Sequence, residues 1–178
     1  MKLYVIRHCE AEGQAPEACL TMAGKEASER LAEFLQHLNI ERVISSPYTR
    51  AVQTIQSFVL QNNIPFKLDD RLKERVLSSV DLPDWYEKLQ QTYIDKDLKF
   101  LGGESSNDAA QRINEVVEEL KQSTHMSLAI VTHGNIMSLL LNHFQSDFGF
   151  EEWKQLSNPD VIEIEFSNNQ TVVNRIWQ

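Results

Sequence analysis

The fold is decided by the stretch LAIVTHG at residues 128–134. Its four successive apolar residues predict a strand buried on both faces, because a strand with one exposed face would alternate apolar and polar side chains. The polar residues Thr132 and His133 end this strand, and a further apolar run up to Leu141 predicts a helix directly after it. A buried strand that leads into a helix is typical of a parallel sheet covered by helices on both faces.

Short runs rich in β-branched and aromatic residues predict the other strands. Those that precede helices lie at Lys2–Ile6, Arg42–Ser45 and Phe66–Leu68. The end of the chain predicts a hairpin of Val161–Phe166 and Thr171–Ile176, with its turn at Asn168-Asn169. The pattern therefore predicts an α/β fold of three layers, α/β/α, with a mostly parallel central sheet and an antiparallel edge strand.

Apolar residues at helical spacing predict the helices between these strands. They are expected at Thr21–Leu38, from Ser46 onward, at Pro83–Ile94 and at Ser106–Gln122. Thr21 is expected to cap the first helix, and Ser46 to cap the second with Pro47 in its first helical position. A chain of 178 residues has room for one well-filled core, so residues 1–178 are expected to form one domain.

The composition limits the partners and the compartment. The chain has 17 basic and 26 acidic residues, for a formal net charge of −9, which argues against nucleic acid or an anionic membrane as a partner. The two cysteines, Cys9 and Cys19, have no metal-ligand spacing and are too few for a disulfide framework. The first apolar run is too short for a secretory signal, and none is long enough to span a membrane. We therefore expect a cytoplasmic protein, with its oligomeric state left open.

Three polar clusters stand where predicted strands end. Arg7-His8 follows the first strand, Ser45-Ser46-Pro47 with Arg50 follows the second, and His133-Gly134 follows the most apolar one. The carboxyl ends of parallel strands gather at one edge of a sheet, where ligands bind. One topological rule therefore predicts that two arginines and two histidines lie together.

The position of Arg50 points to an anion. In the first turn of a helix the macrodipole disfavours a cation by about 0.3–1 kcal/mol, and His133 has a similar position at the start of its own helix. Cations placed there are consistent with an anion bound between two helix N-termini. A phosphate monoester carries about −1.5 to −2 charges at neutral pH, and the arginine fork matches its oxygens.

The sequence resembles the histidine phosphatase superfamily, also called phosphoglycerate-mutase-like. The similar elements occur in the family's order and span most of the chain: Arg7–Glu10, Leu20-Thr21 with Gly24, Ser45–Thr54, Leu72–Glu74, Gly103–Ser105 and Thr132–Gly134. The resemblance implies an attack of His8 on phosphorus that forms a phosphohistidine. It further implies that Arg7, Arg50 and His133 hold the phosphoryl oxygens and that Glu74 is the acid and base. The mechanism that the resemblance implies requires no metal and no cofactor.

Two positions depart from the family's pattern. The sequence after Glu74 lacks the usual glycine and tryptophan, so Asp81 or Asp84 is an alternative acid. Cys9 stands where the family has glycine, and its thiol is expected to be either partly ionised and oxidisable or simply a small tolerated residue. Gln14 matches a position that lines the pocket in relatives, so it is a candidate substrate contact.

The resemblance leaves three functions open. The chain is short for a member with a lid, which favours hydrolysis of small phosphorylated metabolites over a phosphoglycerate-type mutase reaction. A phosphate-binding module without catalysis is the third alternative. Trp85, Tyr86 and Tyr93 are expected either to line the leaving-group side or to pack in the core.

Overall fold

The computed structural model describes residues 1–167 and 170–177 and contains one six-stranded sheet. Its strands are β1 Lys2–Arg7, β2 Arg42–Ser45, β3 Phe66–Leu68, β4 Ser127–Thr132, β5 Asp160–Phe166 and β6 Thr171–Arg175. They lie in the order β3-β2-β4-β1-β5-β6. The first four run parallel, and β5 pairs antiparallel with both β1 and β6. The mostly parallel sheet with an antiparallel edge is confirmed. The turn predicted at Asn168-Asn169 lies outside the described residues.

Within the described residues, six helices accompany the sheet: α1 Met22–Leu35, α2 Thr49–Asn62, α3 Trp85–Ile94, α4 Ser106–Lys121, α5 Gly134–Phe144 and α6 Phe150–Lys154. Short 3₁₀ helices follow α1 at Gln36–Leu38 and precede the long connection to α3 at Asp70–Leu72. The sequence patterns located α1 to α5 and missed α6, whose five residues are too few to display a helical period. No helix in the described part of the chain has the length and apolar character needed to cross a bilayer.

The two faces of the sheet carry separate cores. Tyr4 and Ile6 of β1 pack with residues of α1 and α2, whereas Leu3 and Val5 pack with residues of α4 and α5. This division follows from the alternation of side chains along a strand. Because both faces are covered, β4 is buried along its whole length and apolar from Leu128 to Val131, as the sequence predicted.

The helix N-termini match expectation at α1 and differ at α2. The Thr21 hydroxyl accepts a hydrogen bond from the Gly24 amide at 2.9 Å, as predicted. The prediction that Ser46 caps the next helix is wrong, because α2 begins at Thr49 with Tyr48 as its N-cap residue. The Ser46 hydroxyl instead lies 2.8 Å from Nε2 of His133. A motif that was interpreted as a helix start is therefore part of the site.

Candidate active site

The sheet topology brings both predicted histidines to one edge. β1 and β4 are neighbours with Arg7 opposite Thr132, so the residues that follow the two strands meet. The ring centroids of His8 and His133 are 5.0 Å apart. β2 lies on the other side of β4, and the helix after it delivers Arg50, whose Nε is 3.2 Å from Nε2 of His8.

The His8 ring is fixed in one orientation and one tautomer. Its Nδ1 lies 2.6 Å from the carbonyl oxygen of Cys9, an acceptor, so Nδ1 carries the proton. The Arg50 Nε–H points at Nε2, which is consistent with a lone pair on that atom. The His8 backbone is held as well, because its amide donates to the Thr132 carbonyl at 3.0 Å and its carbonyl accepts from Asn158 Nδ2 at 2.7 Å.

The His8 imidazole is neutral at physiological pH. Burial lowers its pKa from 6.5 to about 4, a direction that the hydrogen bond to the Cys9 carbonyl opposes and the charges of Arg50 and Arg7 reinforce. A neutral ring with an unprotonated Nε2 is the form that can act as a nucleophile.

Arg50 is buried in the first turn of α2, as predicted. Its Nη1 donates to the carbonyl oxygens of Gln14 and Ala15 at 3.2 and 2.8 Å, and its guanidinium lies over the ring of Tyr48 at 4.9 Å. Burial lowers the pKa of this arginine, and its hydrogen-bond partners here are all neutral groups. A cation without a charged partner in its hydrogen bonds favours an anionic ligand.

Arg7 approaches the start of α5 closely. Its Nη1 donates to the Leu156 carbonyl at 2.7 Å, and its Nε is buried without a partner among the described residues. A Cβ added to Gly134 would lie 3.0 Å from both Cζ and Nε of Arg7. Glycine at position 134 therefore makes room for the guanidinium.

The loop at residues 156–160 contacts Arg7 at the end of β1 and His8 directly after it. Leu156 and Asn158 hold Arg7 and the His8 carbonyl, respectively. The loop is anchored by Asp160, which is fully buried, accepts from the Ser157 amide at 2.9 Å and pairs with Arg175 of β6 at 2.6 Å. The hairpin of β5 and β6 thus holds the loop that contacts Arg7 and the His8 carbonyl.

His133 is fully buried beside His8. The Ser46 hydroxyl next to its Nε2 also accepts from the Tyr48 amide at 3.3 Å. Its Nδ1 is buried and has no partner among the described residues. Burial first, and then the charge that His8 can carry, holds the pKa of His133 well below its usual value.

Glu74 lies at the N-terminus of α5. Its Oε2 accepts from the Asn135 amide at 3.0 Å, and its Oε1 accepts from the amides of Ile136 and Arg75 at 3.0 and 2.8 Å. The carboxylate is therefore oriented by the helix and lines the same cleft as Arg50. Its neighbour Lys73 points away and pairs with Asp70.

The other candidate acids are placed less favourably. Asp84 is exposed and pairs with Lys88 at 2.7 Å. Asp81 is exposed and lines the outer part of the cleft. Neither carboxylate is fixed by backbone amides in the way that Glu74 is.

Cys9 is a core residue. It is fully buried among the side chains that face α1 and α2, and its amide donates to the Thr54 hydroxyl at 2.9 Å. Burial raises the pKa of its thiol to about 11. The hypothesis of a partly ionised, oxidisable thiol is therefore wrong, because this environment favours the protonated form.

The site opens into a cleft that consists of two parts. One part has a volume of about 360 Å³ and includes Arg50 and Tyr48; the other, of about 430 Å³, includes Arg7 and Gly134. Both parts share the lining residues Gln14, Glu74, Arg75, Leu77 and Trp85. They therefore form one continuous space. The part lined by Arg7 and Arg50, next to the two histidines, is called the phosphoryl end after the ligand that the sequence predicts there. The part lined by Leu77, Val80, Leu82, Trp85, Leu89 and Trp153 is correspondingly called the leaving-group end.

The three aromatic residues of the irregular middle differ in position. Trp85 lines the cleft, whereas the Tyr86 ring packs on Trp85 and Phe150. The Tyr93 hydroxyl lies 2.5 Å from Ser138 Oγ and accepts from Asn135 Nδ2 at 2.8 Å. Of the three, only Trp85 is among the lining residues.

Several residues of the site were not identified from the sequence. Ser46 lay inside a recognised motif, so its hydroxyl could have been assigned to the site. Asn158 is 150 residues from the His8 carbonyl that it contacts, and Trp153 lies on the short α6. No local pattern marks either of them. In the described part of the chain, no three His, Cys, Asp or Glu side chains are grouped so that they could hold a metal ion.

Comparison with known proteins identifies the class that the fold and the site define. The profile of the histidine phosphatase superfamily (branch 1) matches residues 3–178, and the chain belongs to this family. It is 23% identical to a Schizosaccharomyces pombe protein described as a probable phosphatase, over 96% of this chain and 90% of that protein.

Solved structures share the fold over nearly the whole chain. A mycobacterial glucosyl-3-phosphoglycerate phosphatase superposes with a TM-score of 0.78 at 20% identity, covering 98% of this chain and 96% of its own. A phosphoserine phosphatase mutant from Entamoeba histolytica superposes with a TM-score of 0.78 at 19% identity, covering 97% and 94%. At these identities the likeness concerns the fold.

Proposed function

We propose that this protein is a phosphomonoester hydrolase that acts on small phosphorylated metabolites through a phosphohistidine at His8. The observation that carries the proposal is the His8 ring, whose Nδ1 is bound to the Cys9 carbonyl and whose Nε2 faces Arg50. Relatives described as phosphatases support it. A cytoplasmic, metal-independent enzyme formed by one domain over residues 1–178 is part of the proposal.

In the first step Nε2 of His8 attacks phosphorus, so that an N–P bond forms while the ester P–O bond breaks. Arg7 and Arg50 bind the phosphoryl oxygens and stabilise the charge that develops on them. The buried Nε of Arg7, which has no partner in the described structure, is a donor available for this purpose. The oxygen that leaves takes a proton from the Glu74 carboxyl group.

His133 supplies a further donor. Because the Ser46 hydroxyl already accepts from the Tyr48 amide, it can give its own hydrogen to Nε2 of His133. The proton of the neutral ring is then on Nδ1, the atom without a partner in the described structure. This tautomer is assigned from the hydrogen-bond network, and it directs an N–H at the phosphoryl group.

In the second step water attacks the phosphohistidine. Glu74, now a carboxylate, accepts the proton from that water, the N–P bond breaks and inorganic phosphate leaves. Two displacements of lower barrier replace one difficult displacement. Gln14 lines the cleft beside Arg50 and is proposed as a substrate contact.

The test is rapid-quench labelling with a ³²P-labelled alkyl phosphate in the presence of EDTA. We expect an acid-labile, alkali-stable label on the wild type and none on His8→Ala, together with a turnover loss on the order of 10⁴-fold or more. His37→Ala, at an exposed histidine, is the matched control and is expected to keep both label and turnover.

Three results would contradict the proposal. Brisk turnover without any trapped label would exclude the covalent step, and binding of phosphate without turnover would make the protein a binding module. Transfer of the label to a second hydroxyl of phosphoglycerate, rather than to water, would identify a mutase.

A further inference from the structure

We propose that the leaving group is an uncharged alcohol that carries an aromatic ring, which binds between Trp85 and Trp153 at the leaving-group end. This inference rests on the proposed function and concerns its substrate class. It sets this chain apart from a phosphatase for esters that carry a carboxylate or a second phosphate.

The charges of the cleft argue against a second anionic group. Arg7 and Arg50 lie at the phosphoryl end, and Arg75 is the remaining arginine among the lining residues. Glu74 and Asp81 line the same cleft. An anion on the leaving group would therefore face the Asp81 carboxylate, because Glu74 is protonated until it gives its proton to the leaving oxygen, and it would need Arg75 as its partner.

Arg75 is already occupied by the fold. It is 6% exposed; its Nε and Nη2 donate to the Glu104 carbonyl, and its Nη1 donates to the hydroxyls of Thr92 and Ser106. Turning it into the cleft would deprive the Glu104 carbonyl and both hydroxyls of their donor, which disfavours such a movement. Arg75 is thus a structural cation and cannot serve a carboxylate of the substrate.

The apolar wall of the leaving-group end favours a ring. Trp85 and Trp153 both line it, and neighbouring rings hold the two indoles. Phe150 stacks on Trp153 with centroids 5.3 Å apart, and Tyr86 packs edge-on against both Trp85 and Phe150 at 5.6 and 5.2 Å. An indole fixed in this way loses little side-chain entropy when a ligand ring packs against it.

Trp85 itself is incompletely buried. It is 51% exposed and lines both parts of the cleft. Leu82 and Leu89 continue the apolar surface around it. A planar, apolar leaving group would cover this surface, whereas a polyol would leave it in contact with water.

The experiment compares alkyl phosphates whose alcohols are similarly basic, so that leaving-group reactivity does not determine the result. The probes are benzyl phosphate, glycerol 3-phosphate and 3-phosphoglycerate. We expect kcat/KM for benzyl phosphate to exceed that for glycerol 3-phosphate by about tenfold to a hundredfold, from burial of the phenyl ring. The value for 3-phosphoglycerate is expected to be the lowest.

Two variants at the cleft test the cause. Trp85→Ala is expected to lower kcat/KM for benzyl phosphate about tenfold while that for glycerol 3-phosphate changes less than about threefold. Asp81→Lys is expected to raise the value for 3-phosphoglycerate relative to benzyl phosphate. Ile94→Ala is the control, since Ile94 lies on the same helix as Trp85 but is 83% exposed and lines neither part of the cleft.

The outcomes separate this inference from the proposed function. A phosphohistidine with preference for 3-phosphoglycerate, or equal losses for all three probes in Trp85→Ala at unchanged thermal stability, would overturn the leaving-group assignment alone. If no ester is hydrolysed and no label is trapped, the proposed function itself fails.

Discussion

The phosphoryl end and the leaving-group end of the cleft are built differently. The groups of the phosphoryl end follow the central strands β1, β2 and β4, and Arg50 and His133 are fully buried there. The leaving-group end comes mainly from residues 76–103, which add no strand to the sheet and expose Val80 and Trp85 by 48% and 51%. Rigid elements thus carry the proposed chemistry, and a connection that can vary without disturbing the sheet carries specificity.

The connection is nevertheless held firmly at its base. Arg112 pairs with Glu104 and donates to the carbonyls of Arg71 and Lys73 at 2.6 and 2.8 Å. The Arg75 side chain ties the same base to the Glu104 carbonyl. The two ends therefore differ in burial and in whether their residues follow strands of the sheet. Both are held by hydrogen bonds to the rest of the fold.

After the loss expected for His8→Ala, the largest effect is expected at the boundary between the two ends. Glu74→Gln is expected to lower turnover of benzyl phosphate by about 10²–10⁴-fold, because the leaving alkoxide loses its proton donor. Turnover of 4-nitrophenyl phosphate, whose leaving group needs no proton, should fall less in the phosphorylation step. Steady-state and burst kinetics with both esters measure this difference.

The same measurement on two aspartates decides between the candidate acids. Asp84→Asn alters an exposed carboxylate paired with Lys88 and serves as the control. A loss in Asp81→Asn comparable to that expected for Glu74→Gln, with Glu74→Gln itself active, would transfer the acid role to Asp81.

The phosphoryl end should make the fold sensitive to acid. The folded pKa of His8 is about 4 against an ordinary 6.5, so between these values the unfolded chain binds a proton that the folded chain does not. The free energy of unfolding is therefore expected to fall by about 3 kcal/mol for this group as the pH drops from 6.5 to 4. Urea titrations of wild type and His8→Gln at several pH values measure this contribution.

In His8→Gln the contribution of the His8 ring is absent, so the free energy of unfolding of this variant should depend less steeply on pH between 6.5 and 4. His37→Gln, which alters an exposed histidine, is the control. Identical slopes for wild type and His8→Gln would show that the His8 ring is accessible to protons in the folded state.

A methyl group should be enough to disturb the phosphoryl end. Gly134→Ala would place a Cβ 3.0 Å from the Arg7 guanidinium and is expected to lower kcat/KM by about 10²-fold through displacement of that group. Gly13→Ala is the matched control, because a Cβ there meets nothing within 4 Å. Equal activity of the two variants would show that the position of Arg7 is not critical.

The smallest effect is expected beneath the leaving-group end. Tyr93→Phe removes the hydroxyl that lies between Asn135 and Ser138 and is expected to lower the free energy of unfolding by about 1 kcal/mol. Its kcat/KM for benzyl phosphate should change less than about threefold, because the Tyr93 hydroxyl does not line the cleft. A larger loss of activity than of stability would assign Tyr93 to the site.

The sequence predicted the phosphoryl end because its determinants are local. An apolar run predicts a strand such as β4. The parallel topology then places the residue after each strand at the same edge of the sheet. The function of Ser46 was misjudged because a serine before a proline is typical of a helix start; the competing partner, the His133 ring, is 87 residues away.

The leaving-group end was poorly predicted because its determinants are not local. Residues 76–103 contain one helix and much irregular chain, so neither a period of two nor a period of 3.6 marks which side chains face the cleft. Trp153 reaches it from a helix of five residues, and Asn158 contacts His8 through a loop. Such contacts depend on tertiary packing that no local pattern encodes.

The loop at residues 156–160, which binds Arg7 and the His8 carbonyl, has a consequence for the protein during its synthesis. Strand β1 leaves the ribosome before its neighbours β4 and β5 and before the loop at residues 156–160, which come later in the chain. Until that late segment emerges, the Arg7 guanidinium lacks its acceptor on Leu156 and the His8 carbonyl lacks the donor on Asn158. A prematurely terminated fragment should therefore be chemically inert rather than a sluggish, promiscuous catalyst.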